Sequence, residues 1–154
     1  MPSALKKQTR IELLCADHGL RLTGQRRIIA RILSAANDHP DVEEVFRRAA
    51  AIEPGIALST VYRTVKLFAD HGMLERHDFG SGPQQGSVPR ARFEPASHVH
   101  HDHLIDMETG RVIEFCSAEI EALQERIARE LGFELVGHRL ELYGVAKKRP
   151  EGCE

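Results

Sequence analysis

A chain of 154 residues, 42% hydrophobic and 29% charged, is long enough for one domain or two small ones with buried cores. No run of about 18 apolar residues occurs, which excludes a membrane-spanning helix. The opening MPSALKKQTRIELL lacks an apolar stretch followed by small residues, so a cytoplasmic protein without a secretory leader is expected. The net charge of −2 hides an asymmetry: residues 1–93 carry 14 Lys/Arg against 10 Asp/Glu, and the remainder 7 against 13. A basic front half beside an acidic back half suits one part that meets phosphate and one that does not. Cys15, Cys116 and Cys153 are odd in number and scattered, which predicts free thiols in a reducing compartment rather than a disulfide framework.

In chain order, LKKQTRIELLCADHG places Leu5, Ile11, Leu13 and Leu14 on one helical stripe, stopped by Gly19. Thr23 is positioned to cap GQRRIIARILSAA, where Ile28, Ile29, Ile32 and Leu33 recur at helical spacing. Asp41, with Glu44 three residues on, gives a capping-box pattern for DVEEVFRRAAAI, which ends at Pro54-Gly55. Ser59 is expected to cap TVYRTVKLFADHG, whose Val61, Val65 and Leu67-Phe68 face a core and which stops at Gly72. Short capped helices joined by tight turns predict a helix-turn-helix. MLERHDF and ARFEP read as strands flanking the loop GSGPQQGSVP, which together form a wing. Beyond Pro95, HVHHDHLID and RVIEF read as strands around the turn METG. Ser117 caps AEIEALQERIARELG, with Ile120, Leu123, Ile127 and Leu131 at helical spacing, and FELVGHRLELYGVA supplies a third strand. The expected class is α+β: a winged helix-turn-helix over residues 1–93 and a small α/β domain over residues 94–154.

A helix-turn-helix reads base edges near the N-terminus of its second helix, here LSTVYRTVK. Ser59 and Thr60 suit phosphate contact through hydroxyl or backbone N–H. Tyr62, Arg63 and Lys66 share the face opposite the apolar residues, so Arg63 can meet a guanine and Tyr62 a thymine methyl. Arg21, Arg26 and Arg27 surround the start of the preceding helix, where backbone or minor-groove contact is expected. The plainer alternative is that these arginines are only the solvated faces of amphipathic helices.

The densest chemical signal is HVHHDH, which packs His98, His100, His101, Asp102 and His103 into six positions. On an extended strand His101 and His103 share one face, and His98, His100 and Asp102 the other, which points to two metal sites back to back. Neutral imidazole and carboxylate suit Fe(II), Mn(II), Zn(II) or Ni(II). Further N/O donors are available in His39, Glu94, Glu121 and His138. The alternative is an exposed histidine-rich surface that takes metal adventitiously. His18, His71 and His77 have no such company and read as surface or capping residues.

Over nearly its whole length the chain resembles the ferric uptake regulator family. The resemblance rests on GLRLTGQRRIIARIL, ALSTVYRTVKLFADHGMLERHDF, HHDHLID…TGRVIEF and GHRLELYG, in that order. It implies a homodimeric, winged-helix, metal-dependent transcriptional repressor of metal-uptake genes that binds palindromic operators in double-stranded DNA, with the second domain mediating dimerisation. It places a regulatory hinge site on His39, Glu94, His101 and His103, and a second site on His100, Asp102, Glu121 and His138. It assigns DNA contacts to Tyr62 and Arg63 and sets Arg21 where relatives have a minor-groove lysine. One departure is chemical: where many relatives have CxxC after HHDHLI, this chain has Asp106 and Thr109, and only Cys153 remains near the end, so no structural four-cysteine zinc is expected. A hinge glutamate and the lack of thiolate ligands favour Fe(II) or Mn(II) as cofactor, with Zn(II) as a surrogate. Two other classes compete, a metalloenzyme and a metal-buffering protein built on the same His/Asp/Glu cluster. The first lacks a second catalytic motif, and the second leaves the helix-turn-helix unexplained.

Overall fold

The computed structural model describes residues 7–79, 90–97 and 99–147. The wing loop of residues 80–89, together with Leu5, His98 and Cys153, lies outside them. The α+β class is the one observed, and the chain divides into two compact units, the first running through Ser97.

The first unit contains α1 (Arg10–Asp17), α2 (Gly24–Ala35), α3 (Val42–Ile52) and α4 (Leu58–Asp70), followed by β1 (Leu74–His77) and β2 (Arg92–Pro95). Each of the first three helices starts at a side-chain cap. Thr9 and Glu12 close a reciprocal capping box on α1, the Thr23 hydroxyl accepts from Arg26 N–H, and Asp41 accepts from Glu44 N–H. Glu44 does not complete its own box, because its carboxylate is taken by Arg47 and Arg48. The core is one apolar cluster in which Ile11, Ile29, Leu33, Val45, Val61, Val65 and Phe68 are shielded from solvent, with Met73 and Phe93 contributed by the strand side. β1 and β2 pair antiparallel, with Glu75 opposite Glu94 and His77 opposite Arg92.

Two local expectations are corrected. α4 begins one residue before Ser59, with Ala57 at the cap position and no side-chain cap, so Ser59 lies in the first turn rather than at its head. In α1 the capping box starts the helix at Arg10, and that phase turns Ile11 and Cys15 inward while Leu13 is 49% exposed. Glu12 also faces inward, and its charge is satisfied there: Thr9 N–H donates at 2.7 Å and Arg31 Nε at 3.1 Å.

The second unit contains β3 (Asp102–Asp106), β4 (Val112–Phe115), α5 (Ala118–Glu130) and β5 (Glu141–Gly144). β3 is central, antiparallel to β4 and parallel to β5. Gly110, at φ +72, allows the tight return from β3 to β4, a conformation that a Cβ would strain. Two expected strands are shorter than the alternation suggested. β3 starts at Asp102, so His100 and His101 precede it, and of FELVGHRLELYGVA only Glu141–Gly144 forms a ladder. Alternation shows which residues can share a face, but a ladder also needs a neighbouring strand. Ser117 caps α5 as expected, yet α5 buries none of its residues within this chain. Leu123, Ile127, Leu131, Phe133 and Val136 are exposed apolar side chains on and just after α5, with Val136 99% exposed.

Candidate metal centres and nucleic-acid interface

In the first unit the loop between α2 and α3 is tied to β2. The Arg92 guanidinium donates to His39 O at 2.7 Å and to Asp38 O at 2.9 Å, and Phe93 N–H donates to Pro40 O at 3.1 Å. These bonds accompany His39 at φ +50, a left-handed conformation that few non-glycine residues adopt. The consequence is a short approach of side chains: His39 Nε2 lies 3.0 Å from Glu94 Oε2. From β1, His77 Nε2 meets the other oxygen, Glu94 Oε1, at 2.5 Å. All three residues are buried. Burial pushes the Glu94 carboxyl up, but the hydrogen bonds from His39 and His77 outweigh it and hold the group well below the usual carboxylate range. Glu94 is therefore an ionised carboxylate in a shielded place, set on a strand rather than in a linker. Glu75 Oε2, more exposed, stands 4.0 Å from His77 Nε2.

The assignment of His77 to the surface or a cap is thus overturned. The ring is buried, stacked on Phe79 at 5.0 Å between centroids with 4° between planes. The signal that could have found it is diagonal pairing: with Glu75 opposite Glu94, His77 lies one diagonal step from Glu94 on the two-stranded sheet. Register, however, is not readable across a long loop. His71 does cap, its Nδ1 bonding Leu67 O at 2.8 Å at the end of α4, and His18 packs edge-on against it.

In the second unit three donors converge. His100 Nε2 and His138 Nε2 lie 2.7 Å apart, and each is 3.1 Å from Asp102 Oδ1. Hydrogen bonds alone leave this triangle frustrated, since two imidazole nitrogens and one carboxylate oxygen cannot all be satisfied by the protons available between them. Asp102 is buried, and its Oδ2 has no hydrogen-bond partner among the described residues. Convergent lone pairs beside an orphaned buried carboxylate oxygen fit a divalent cation, and the all-N/O donor set suits Fe(II), Mn(II) or Zn(II). Glu121, in the first turn of α5, is not among the converging atoms. On the other side of β3, His101 and His103 approach to 5.4 Å between ring centroids. Glu114, which the sequence reading did not single out, faces them: it is opposite His103 in the β3–β4 register, and its Oε1 is 3.8 Å from His101 Nε2. Its alternating position in RVIEF, across from the histidine strand, was the available clue.

On α4 the residues expected to read DNA lie on the solvent side. Ser59, Tyr62, Arg63 and Lys66 are exposed and Thr60 is partly so, while Val61, Thr64, Val65 and Phe68 point into the core. Thr64, rather than Leu67, fills the inward position. Arg21 is exposed ahead of α2, and its carbonyl accepts from the Arg26 guanidinium at 2.8 Å.

Comparison with known proteins gives a consistent answer. The family model described as "Ferric uptake regulator family" matches residues 17–143. A ferric uptake regulation protein of Rhizobium leguminosarum bv. viciae is 59% identical over 141 residues, covering 92% of this chain and 94% of that protein. A solved zinc-bound manganese uptake regulator superposes with a TM-score of 0.76 at 58% identity, covering 89% of this chain and 98% of the other. A ferric uptake regulator from Pseudomonas aeruginosa, solved with manganese, gives 0.67 at 38% identity, covering 91% and 100%. This chain belongs to the ferric uptake regulator family, whose members are metal-binding transcriptional regulators and not enzymes.

Proposed function

We propose that this chain is a metal-dependent repressor of metal-uptake genes that grips a palindromic operator as a homodimer when loaded with Fe(II) or Mn(II). The observation that carries the reading is Glu94: a buried carboxylate held between imidazoles in the same unit as the reading helix. Glu94 and His39 contribute one half of a regulatory hinge centre, and His101 and His103 the other, with Glu114 beside them as a further carboxylate. His100, Asp102 and His138 form the second centre, with Glu121 as a candidate fourth donor from α5.

When bound, the cation would supply a charge that ties His39 and Glu94, from the unit with the reading helix, to His101 and His103 of the second unit, favouring one arrangement of the two. A coupling of roughly 1–3 kcal/mol is the usual scale for such a device. Arg63 and Tyr62 read base edges in the major groove, Ser59 and Thr60 engage phosphate, and Arg21 reaches the minor groove. The apolar surface of α5 and residues 133–136 supports a second copy of the chain as its cover, since patches of this kind mark association surfaces. The named relatives solved with zinc and with manganese support a first-row divalent ion. The N/O donor set favours Fe(II) or Mn(II), with Zn(II) as a surrogate, and a regulator of genes would act in the cytoplasm.

The test is anaerobic titration of operator-fragment binding with Fe(II), Mn(II) and Zn(II), for wild type and for a variant with both His101→Ala and His103→Ala. Wild type should bind the operator only with metal, and the variant should lose that dependence while remaining dimeric. Metal uptake with no change in operator affinity would instead indicate a buffering protein.

A further inference from the structure

His77 belongs to neither ligand set, yet it is among the most constrained imidazoles in the first unit. An imidazole buried without a polar partner is costly, and this one has a specific partner in Glu94. Its plane is fixed by the parallel stack on Phe79, and its edge faces the His39 ring at 6.0 Å between centroids. The 2.5 Å contact with His77 Nε2 occupies one oxygen of the Glu94 carboxylate. The two oxygens of Glu94 are thereby distinguished: Oε1 accepts from His77, and Oε2 faces His39 Nε2 at 3.0 Å.

We propose that His77 is a positioning residue for the hinge centre: by holding Glu94 Oε1 it turns Oε2 towards His39 and makes Glu94 a one-oxygen ligand. The inference rests on the hinge reading of His39 and Glu94. Carboxylate ligands depend on such outer partners for orientation, and loss of one commonly lowers metal affinity about 10–100-fold. A carboxylate bound through one oxygen also uses one coordination position, whereas a freed Glu94 could use two and change the coordination number of the ion. Glu75 does not replace His77 in this role, because a second carboxylate has no N–H to offer Glu94 and its side chain is 47% exposed.

The experiment uses the full chain and Mn(II) or Co(II) alone as probes. Affinity is measured by calorimetry, and the visible absorption of bound Co(II) reports its coordination number. His77→Phe keeps the ring stack on Phe79 and removes the donor, whereas His77→Gln keeps a donor of similar reach. Thermal unfolding in chelator checks that both variants fold, and His39→Ala marks the signal due to the hinge centre. The expected result is a fall of about 10–100-fold in hinge-centre Mn(II) affinity for His77→Phe, with an altered Co(II) spectrum. His77→Gln should stay close to wild type in both. Wild-type affinity and spectrum in His77→Phe, while His39→Ala loses the centre, would overturn the role of His77 alone. Equal damage in both His77 variants with an unaltered Co(II) spectrum would also overturn it, since that pattern is a packing effect. Wild-type binding in His39→Ala would remove the hinge reading, and this inference with it.

Discussion

Replacing Glu94 with glutamine isolates the carboxylate charge while preserving shape. In the native protein Glu94 Oε1 meets His77 Nε2 at 2.5 Å and Oε2 meets His39 Nε2 at 3.0 Å, both largely shielded from water. In the glutamine variant the carbonyl keeps one of these bonds, and the amide N–H must be met by an imidazole that has shifted its proton to the other ring nitrogen. The bond count can survive, but the charge assistance cannot. Bonds to an ionised group contribute about 1.5–3 kcal/mol against roughly 0.5–1.5 for neutral ones, so two bonds lose about 2–3 kcal/mol together. The assay is urea unfolding of the chelated protein followed by far-UV circular dichroism, in which α1–α4 report the first unit. Working in chelator removes any stabilisation by bound metal. Glu75→Gln is the control: that side chain is exposed and 4.0 Å from His77, so its change should stay within about 0.5 kcal/mol. A Glu94→Gln change no larger than that of the control would refute the claim that Glu94 is an ionised carboxylate held by imidazoles.

Glu12→Gln should destabilise the first unit by about 1–2 kcal/mol at neutral pH, since the buried carboxylate serves both the Thr9 cap and Arg31. Burial raises the Glu12 carboxyl, but the Thr9 hydrogen bonds and the Arg31 charge outweigh that and leave it below its ordinary value of 4.5. A depressed native value means the contribution is complete above that pH and declines as the pH falls through the native value. Urea midpoints of variant and wild type should therefore converge on acidification, and a gap constant to pH 3 would contradict this. Arg63→Ala should weaken specific operator binding by about 1–3 kcal/mol with Mn(II) affinity unchanged, as read by fluorescence anisotropy and calorimetry. Undiminished operator affinity would remove Arg63 from the reading face. Asp102→Ala should lower by one the divalent ions bound per chain in metal analysis after gel filtration. An unchanged stoichiometry would show that the His100–Asp102–His138 triangle holds none.

The sequence by itself determined the parts governed by neighbours along the chain. Thr23, Asp41 and Ser117 cap the helices they precede because an N-cap bond closes over three residues. The core stripe through Ile29, Leu33, Val61, Val65 and Phe68 follows from the 3.6-residue period. The same locality made the run of histidines visible, though not that β3 begins only at Asp102, and it left Tyr62 and Arg63 outward once Val61 and Val65 were assigned inward. Tertiary structure decided what depends on partners distant in sequence. Only the register of β1 against β2 brings His77 to Glu94, and only the clamp of Arg92 on the loop carbonyls sets His39 at its left-handed angle beside them. Glu114 enters through the pairing of β4 with β3, and His138 through the return of the chain before β5. Each is a contact across a loop whose closure no local periodicity encodes: a one-residue change of register would have turned the same side chains to the opposite face.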